Sequence, residues 1–316
     1  MELLITTSGT IGAGKTTWSE LIAEHFGVEV YRESVDENPF LAKYYEDPEK
    51  YSFHLQVYFL NHRFRAIKEA MKHPNNVLDR SIYEDSMIFA KLQFENGSMD
   101  EESYKAYLDL HENMMQELHD LGEMKVLKKK SPDLLVHLDG SLEEILRRVK
   151  KRGREFEQID QNPGLEKYYR DLYKLYEGFV EEYKAQEISP VYVLDIDKYS
   201  AEKPEDVAIV MKEIEAALAE ARGELIFDEK LAKDIMWGDY DPEKYELVED
   251  AEDWEVDGKY QNSSIIFKHK ASGKHYKYYV TRSGSPFTDY EYYFDDDVFE
   301  VEYKEEVKLV KGWVSV

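Results

Sequence analysis

The sequence predicts a three-layer α/β domain followed by a smaller antiparallel β domain, and three observations predict it. Up to about residue 222, short β-branched runs alternate with long amphipathic stretches, the pattern of parallel strands joined by helical crossovers. A glycine-rich segment, GTIGAGKTT, lies between the first such run and the first such stretch. After Gly223 the pattern changes to β-type alternation in segments such as SSIIFKHK, KHYKYYVTRS and FTDYEYYF, and the last 94 residues hold ten of the 25 tyrosines. The predicted boundaries are 1–222 and 223–316.

Taken in chain order, the candidate strands of a five-stranded parallel sheet are Leu3 to Thr7, Val28 to Arg32, Asn76 to Leu78, Leu134 to Leu138 and Val191 to Ile196. Between them, Asp47-Pro48 offers a capping carboxylate before a proline at the first helical position, which opens a helix over 49–72. Ser98 to Glu101 and Ser141 to Glu144 both read as capping boxes, for helices reaching roughly Leu121 and Lys151. Gly223, after KEIEAALAEAR, reads as a helix stop. The acidic run YELVEDAEDWEVDGK is expected to be an exposed connection.

Composition bounds the function. With 316 residues and 42% hydrophobic side chains, the chain has material for one large domain plus an appendage. There is no cysteine, which excludes disulfides, thiolate catalysis and thiolate metal sites, and the nine histidines form no ligand-spaced cluster. Neither a signal-peptide pattern nor a membrane-length apolar run is present, so a cytoplasmic protein is expected. A formal charge of −26 argues against broad binding to nucleic acid, so an anionic substrate must be drawn in by a local cationic pocket. RRVKKRGR, Arg147 to Arg154, is one such concentration of charge.

GTIGAGKT matches the phosphate-binding loop G-x-x-x-x-G-K-[ST] with a strand before it and a helix after it. Gly9, Gly12 and Gly14 let the loop curl so that backbone N–H groups and the helix N-terminus, through Thr16 and Thr17, face phosphates; Lys15 adds positive charge, and the Thr16 hydroxyl can ligate Mg²⁺. Glu33 follows the second strand, at the sheet edge where open α/β sheets gather ligands, and a carboxylate there can take the proton of an attacking hydroxyl. Asp79 and Arg80, in LDRSIYED, end the third strand at the same edge: the first can hold Mg²⁺ through water, the second can neutralise charge during transfer. They can equally form a buried ion pair with each other or with Glu33. Gln56 and Arg63 share a helix face about 10 Å apart, a spacing suited to a flat heterocycle but also to plain solvated residues. Arg148 and Arg152, one turn apart, and Arg154 can close as a lid over a transferring phosphoryl group, or merely complement their own helix dipole.

Together the phosphate loop, Glu33, YYEDPEKYSFHLQVYFLNHR, DRSIYED and RGREFEQ resemble the deoxyribonucleoside kinase family over roughly residues 1–220. The resemblance implies a P-loop kinase fold, ATP with Mg²⁺ as phosphate donor, and transfer to the 5′-hydroxyl of a deoxyribonucleoside. It implies that Glu33 is the general base with Arg80 beside it, that Tyr45 and Glu157 hold the sugar 3′-hydroxyl, that Gln56, Arg63 and Asp85 face the base, and that Arg148, Arg152 and Arg154 form the lid. The Arg63 and Asp85 pair is similar to members taking purines or cytosine, so a purine, or else deoxycytidine, is expected over thymidine. Two positions depart from the family pattern: Ser34 stands where many relatives have proline, and Asp79 where animal relatives have glutamate.

The family resemblance further implies a homodimer through helices, with Tyr104, Leu108, His111, Met115 and Leu118 as the candidate face, although such stripes equally mark core. Residues 223–316 lie outside the resemblance; they fit a packing or oligomerisation domain, a module offering TDYEYYFDDD to a basic protein partner, or an influence on substrate choice or regulation. The alternatives to a nucleoside kinase are a nucleoside monophosphate kinase, which would need further cations for an acceptor phosphate, and a nucleotide-bound interaction protein acting through the second domain.

Overall fold

The structure is a computed structural model and describes residues 2–32, 38–154, 157–160, 164–285, 288–295 and 297–304. The chain divides into two compact units, Met1–Ala221 and Arg222–Val316. Among the described residues no helix is long and apolar enough to cross a membrane.

In the first unit, strands β1 (Leu4–Gly9), β2 (Glu29–Tyr31), β3 (Asn76–Leu78), β4 (Leu134–Asp139) and β5 (Val191–Asp195) form a wholly parallel sheet in the order β2-β3-β1-β4-β5. Its inner strands β3, β1 and β4 are buried almost throughout because both faces are covered, while the edge strands β2 and β5 are partly exposed. Leu4, Leu78 and Leu135 point into one core, with Leu60 and Phe179. Ile5, Val77, Leu134 and Val136 point into the other, with Trp18 and Ile22 of helix α1 (Lys15–Phe26).

The expected helix after Asp47 is α3 (Pro48–Lys72), which follows α2 (Leu41–Glu46); Asp47 accepts the N–H of Lys50, and proline occupies the first turn. After β3 the chain makes a π-helical turn over Asp85–Ala90 and continues as α4 (Lys91–Glu95), a widened turn of the kind found at functional sites. Helix α5 (Glu101–Glu123) corrects one expectation. Its cap is Asp100, which accepts the Ser103 N–H at 2.7 Å, whereas the carbonyl of Ser98 receives the Ser52 hydroxyl. The competing acid lies nearer the helix and accepts more strongly than a hydroxyl. On α5, Leu118 is buried and Tyr104, Leu108 and Met115 pack against the first core, so much of the stripe is core. Ser141 caps α6 (Leu142–Arg152) by accepting the Glu144 N–H, and helices α7 (Gly164–Tyr176), α8 (Phe179–Ala185) and α9 (Pro204–Ala221) complete the unit.

The second unit holds helix α10 (Glu229–Trp237) and an antiparallel sheet. Its long strands β8 (Tyr260–His269) and β9 (Lys274–Ser285) pair along their whole length, β6 (Tyr245–Glu249) and β7 (Glu255–Asp257) share the outer edge of β8, and β10 (Thr288–Phe294) and β11 (Phe299–Val301) share that of β9. Ile265, Phe267, Tyr278 and Val280 pack with Ala232 and Ile235 of α10. The acidic run over 245–259 is therefore not a bare connection: it supplies β6 and β7, edge strands that expose Glu246, Glu249, Glu255 and Asp257 beside Val248 and Val256, and such charges are a usual protection of an exposed sheet edge.

Candidate active site

The carboxyl ends of the parallel strands open onto a cavity of about 410 Å³, in the size range of small-molecule sites. Gly12, Gly14, Lys15, Thr16 and Thr17 form its phosphate-loop wall. The loop needs its glycines: Gly9 has φ +136° and an added Cβ would lie 2.6 Å from the Leu138 carbonyl oxygen, while Gly12 has φ +90° and an added Cβ would lie 2.6 Å from Val149 Cγ2 on α6. The Lys15 ammonium, itself buried, donates to the carbonyls of Gly9 at 2.7 Å and Thr10 at 2.8 Å, closing the loop on itself.

Thr16 Oγ1 donates to Asp79 Oδ2 at 2.6 Å. The two oxygens sit side by side at the loop's helix start, a hard-donor set suited to Mg²⁺, which usually takes only one or two protein ligands and keeps phosphates and waters for the rest. Among the described residues no group of three or more His, Asp or Glu is spaced to hold a metal.

Arg80, Tyr45, Gln56, Arg63, Arg148, Arg152, Arg154 and Glu157 also line the cavity. Gln56 and Arg63 both project from α3, and Arg63 pairs with Asp85, the fully buried first residue of the π-helical turn. The Gln56 side-chain oxygen is buried and takes no hydrogen bond from the described residues, an acceptor suited to a ligand donor. Phe59 and Phe89 wall the same end; the Arg63 guanidinium lies 4.8 Å from the Phe59 ring and that of Arg80 4.8 Å from the Phe89 ring. Glu157 receives Arg152 and Arg154, so two of the lid arginines lean on the carboxylate assigned to the sugar. Arg148 behaves differently: it donates to the carbonyls of Ala13 and Ile196 and to Glu144, bracing the phosphate loop against the end of β5. Burial, then Tyr169 and Glu157, push the Tyr45 hydroxyl well above its usual range, which keeps it a donor. Glu33 lies outside the described residues.

Several lining or supporting groups had no role in the sequence reading. Tyr44 donates to Gln93 at 2.9 Å across the cavity wall, and Glu84, inside DRSIYED, is fully buried against Arg80. Behind the phosphate loop His137 shares a 2.8 Å hydrogen bond with Ser8 and stacks on Tyr176. Burial depresses its pKa from 6.5 to about 4, against a smaller opposing pull from Asp139. Between these values the unfolded chain binds the proton and the folded one does not, so stability is present above the unfolded value and falls with pH, by about 3 kcal/mol in all. The thermal midpoint is expected to drop between about pH 7 and about pH 4.5, and His137→Asn, which cannot titrate, to flatten that part of the profile. An equal slope in the variant would exclude His137 as the cause.

Comparison with known proteins bears on this geometry. A family model described as "Deoxynucleoside kinase" matches residues 5–219, and one described as "Phage T4 Y04K protein" matches residues 207–316. A deoxyguanosine kinase of Lactobacillus acidophilus is 42% identical over 73% of this chain and 97% of its own length. A deoxyadenosine kinase of the same organism is 42% identical over 70% of this chain and 98% of its own length. The solved structure of deoxyadenosine kinase from M. mycoides, with products dCMP and a flexible dCDP bound, superposes with a TM-score of 0.54 at 29% identity, covering 68% of this chain and all of that one.

Proposed function

We propose a specific reaction for this chain, which belongs to the deoxynucleoside kinase family and phosphorylates deoxynucleosides: the γ-phosphoryl group of ATP passes to the 5′-hydroxyl of a purine deoxyribonucleoside, with deoxycytidine the next choice. The observation that carries the choice of base is the Gln56, Arg63 and Asp85 end of the cavity, where a buried amide oxygen and a buried ion pair meet two aromatic walls. Adenine, guanine and cytosine each carry an exocyclic amino donor that thymine lacks, and a fixed polar set rejects a base that leaves it unpaired. The named activities of the two Lactobacillus acidophilus relatives favour purines.

In this reading the phosphate-loop N–H groups and Lys15 grip the donor phosphates, and Arg152 and Arg154 leave Glu157 to meet the transferring group when the site fills. Tyr45 and Glu157 hold the 3′-hydroxyl. Glu33 accepts the 5′-hydroxyl proton as that oxygen bonds to the γ-phosphorus and the bond to ADP breaks, while Arg80 offsets the negative charge gathered there. Thr16 and Asp79 hold Mg²⁺, which when bound neutralises donor-phosphate charge. The family resemblance supports a homodimer. Residues 223–316 we read as a separate domain that adds packing or oligomerisation surface.

The test is a kinetic panel: full-length protein, MgATP, and each of the four natural deoxynucleosides. Deoxyguanosine or deoxyadenosine is expected to give the highest kcat/KM and thymidine the lowest, by about tenfold or more, as lost buried hydrogen bonds dictate. A thymidine preference would overturn the assignment of Arg63 and Asp85.

A further inference from the structure

Glu84 is fully buried, yet it is a carboxylate, and a buried charge persists only where donors converge on it. Four do. Oε2 accepts the Ser81 N–H at 2.9 Å. Oε1 accepts the N–H of Gly9 at 3.1 Å, Arg80 Nη1 at 3.3 Å and the Tyr176 hydroxyl. Burial first, and then the Glu84 charge, hold the Tyr176 hydroxyl well above its usual pKa, so it remains a donor.

These donors come from three separate places: the end of β1 where the phosphate loop begins, the turn after β3, and the last residue of α7. Two side chains close the turn: Tyr83 N–H donates to Ser81 Oγ, and Ser81 N–H donates to Glu84 Oε2. That closure fixes the residue immediately before it, Arg80, whose φ of +102° is a conformation side-chain-bearing residues rarely adopt and which persists only when its surroundings over-determine it. The same carboxylate therefore holds both the backbone and the guanidinium of Arg80, and ties them to the first glycine of the phosphate loop.

We propose that Glu84 is a positioning residue for phosphoryl transfer, which sets the Arg80 guanidinium in register with the phosphate loop. The inference rests on the reading of Arg80 as the charge-offsetting group at the acceptor. Glu84 acts only through Arg80 and the loop, and one carboxylate carries the registration between the acceptor and donor halves of the site.

The experiment is a double-mutant cycle on the full-length protein, with kcat and KM measured for deoxyguanosine and MgATP in the wild type, Glu84→Gln, Arg80→Lys and the double variant. Arg80→Lys is expected to lower kcat about 100-fold. Glu84→Gln is expected to lower kcat about tenfold with KM for the nucleoside within about threefold, and the double variant to be no more than about threefold below Arg80→Lys, because residues acting as a unit are not additive. Fully multiplicative losses, or an unchanged kcat in Glu84→Gln beside a low one in Arg80→Lys, would overturn the inference alone. An unchanged kcat in Arg80→Lys would overturn the reading of Arg80 and the inference with it. Should Glu84→Gln fail to fold, Tyr176→Phe removes one donor to the same carboxylate and takes its place in the cycle, with a loss in kcat of about threefold that vanishes beside Arg80→Lys.

Discussion

Lys15→Met is expected to lower kcat about 10³-fold and to raise KM for MgATP, a loss in the range that follows removal of a cation from a transferring phosphoryl group. Methionine matches lysine in length and tolerates the burial of this position, so the change removes charge with little loss of volume. What it also removes is the pair of hydrogen bonds to the Gly9 and Thr10 carbonyls. Both residues are buried, although the Thr10 carbonyl also receives the Ala13 N–H, so the expected cost to folding is about 1–3 kcal/mol for the carbonyl left unpaired. The two effects separate experimentally: turnover is followed as ADP release with a saturating deoxynucleoside, and folding as the thermal midpoint. A midpoint lowered by several degrees, with the protein still folded at assay temperature and turnover down a thousandfold, is the expected pair. Turnover within about tenfold of wild type would mean that the loop's backbone grips the phosphates without help from the ammonium.

If Glu33 is the general base proposed above, Glu33→Gln is expected to lower turnover by about 10² or more while leaving ATP binding unchanged, the range that follows loss of a positioned general base. Glutamine preserves size and hydrogen-bonding reach but cannot take the 5′-hydroxyl proton. Glu33 follows β2, and the neighbouring strand end carries Asp79, whose N–H donates to the Tyr31 carbonyl at 3.0 Å; the backbone thus brings the exit of β2 beside the DRSIYED turn. A second acid could not substitute cheaply there, because Asp79 is engaged with Thr16 and Glu84 with four donors. Measured ATP affinity together with the single-turnover rate distinguishes lost chemistry from lost binding. An unchanged single-turnover rate would remove Glu33 from the mechanism.

Much of this was legible in the sequence because the most informative features were local. Short β-branched and apolar runs mark the strands, and all five fall within about two residues of their expected bounds by that signal alone. The phosphate loop is a contiguous motif whose strand and helix could be checked on either side. Features that depend on distant partners were not legible. Glu84 stands within a quoted motif, but Gly9, which donates to it, is 75 residues away, and no periodicity marks the pair. The contact between Tyr44 and Gln93 likewise joins residues 49 apart. Strands β6 and β7 were hidden because an edge strand with exposed carboxylates shows neither alternation nor an apolar run. The helix start at Asp100 failed for the opposite reason: two local signals competed two residues apart, and the wrong one matched the longer motif.

The most direct test of the whole account is the identity of the phosphate acceptor. Full-length protein would be incubated with MgATP and either deoxyguanosine or dGMP, and the products resolved. Conversion of deoxyguanosine to its 5′-monophosphate, with dGMP left untouched, is the result this account predicts, since Tyr45 and Glu157 suit an uncharged sugar and Glu33 would repel a phosphate. Formation of dGDP from dGMP, with deoxyguanosine left intact, would contradict it.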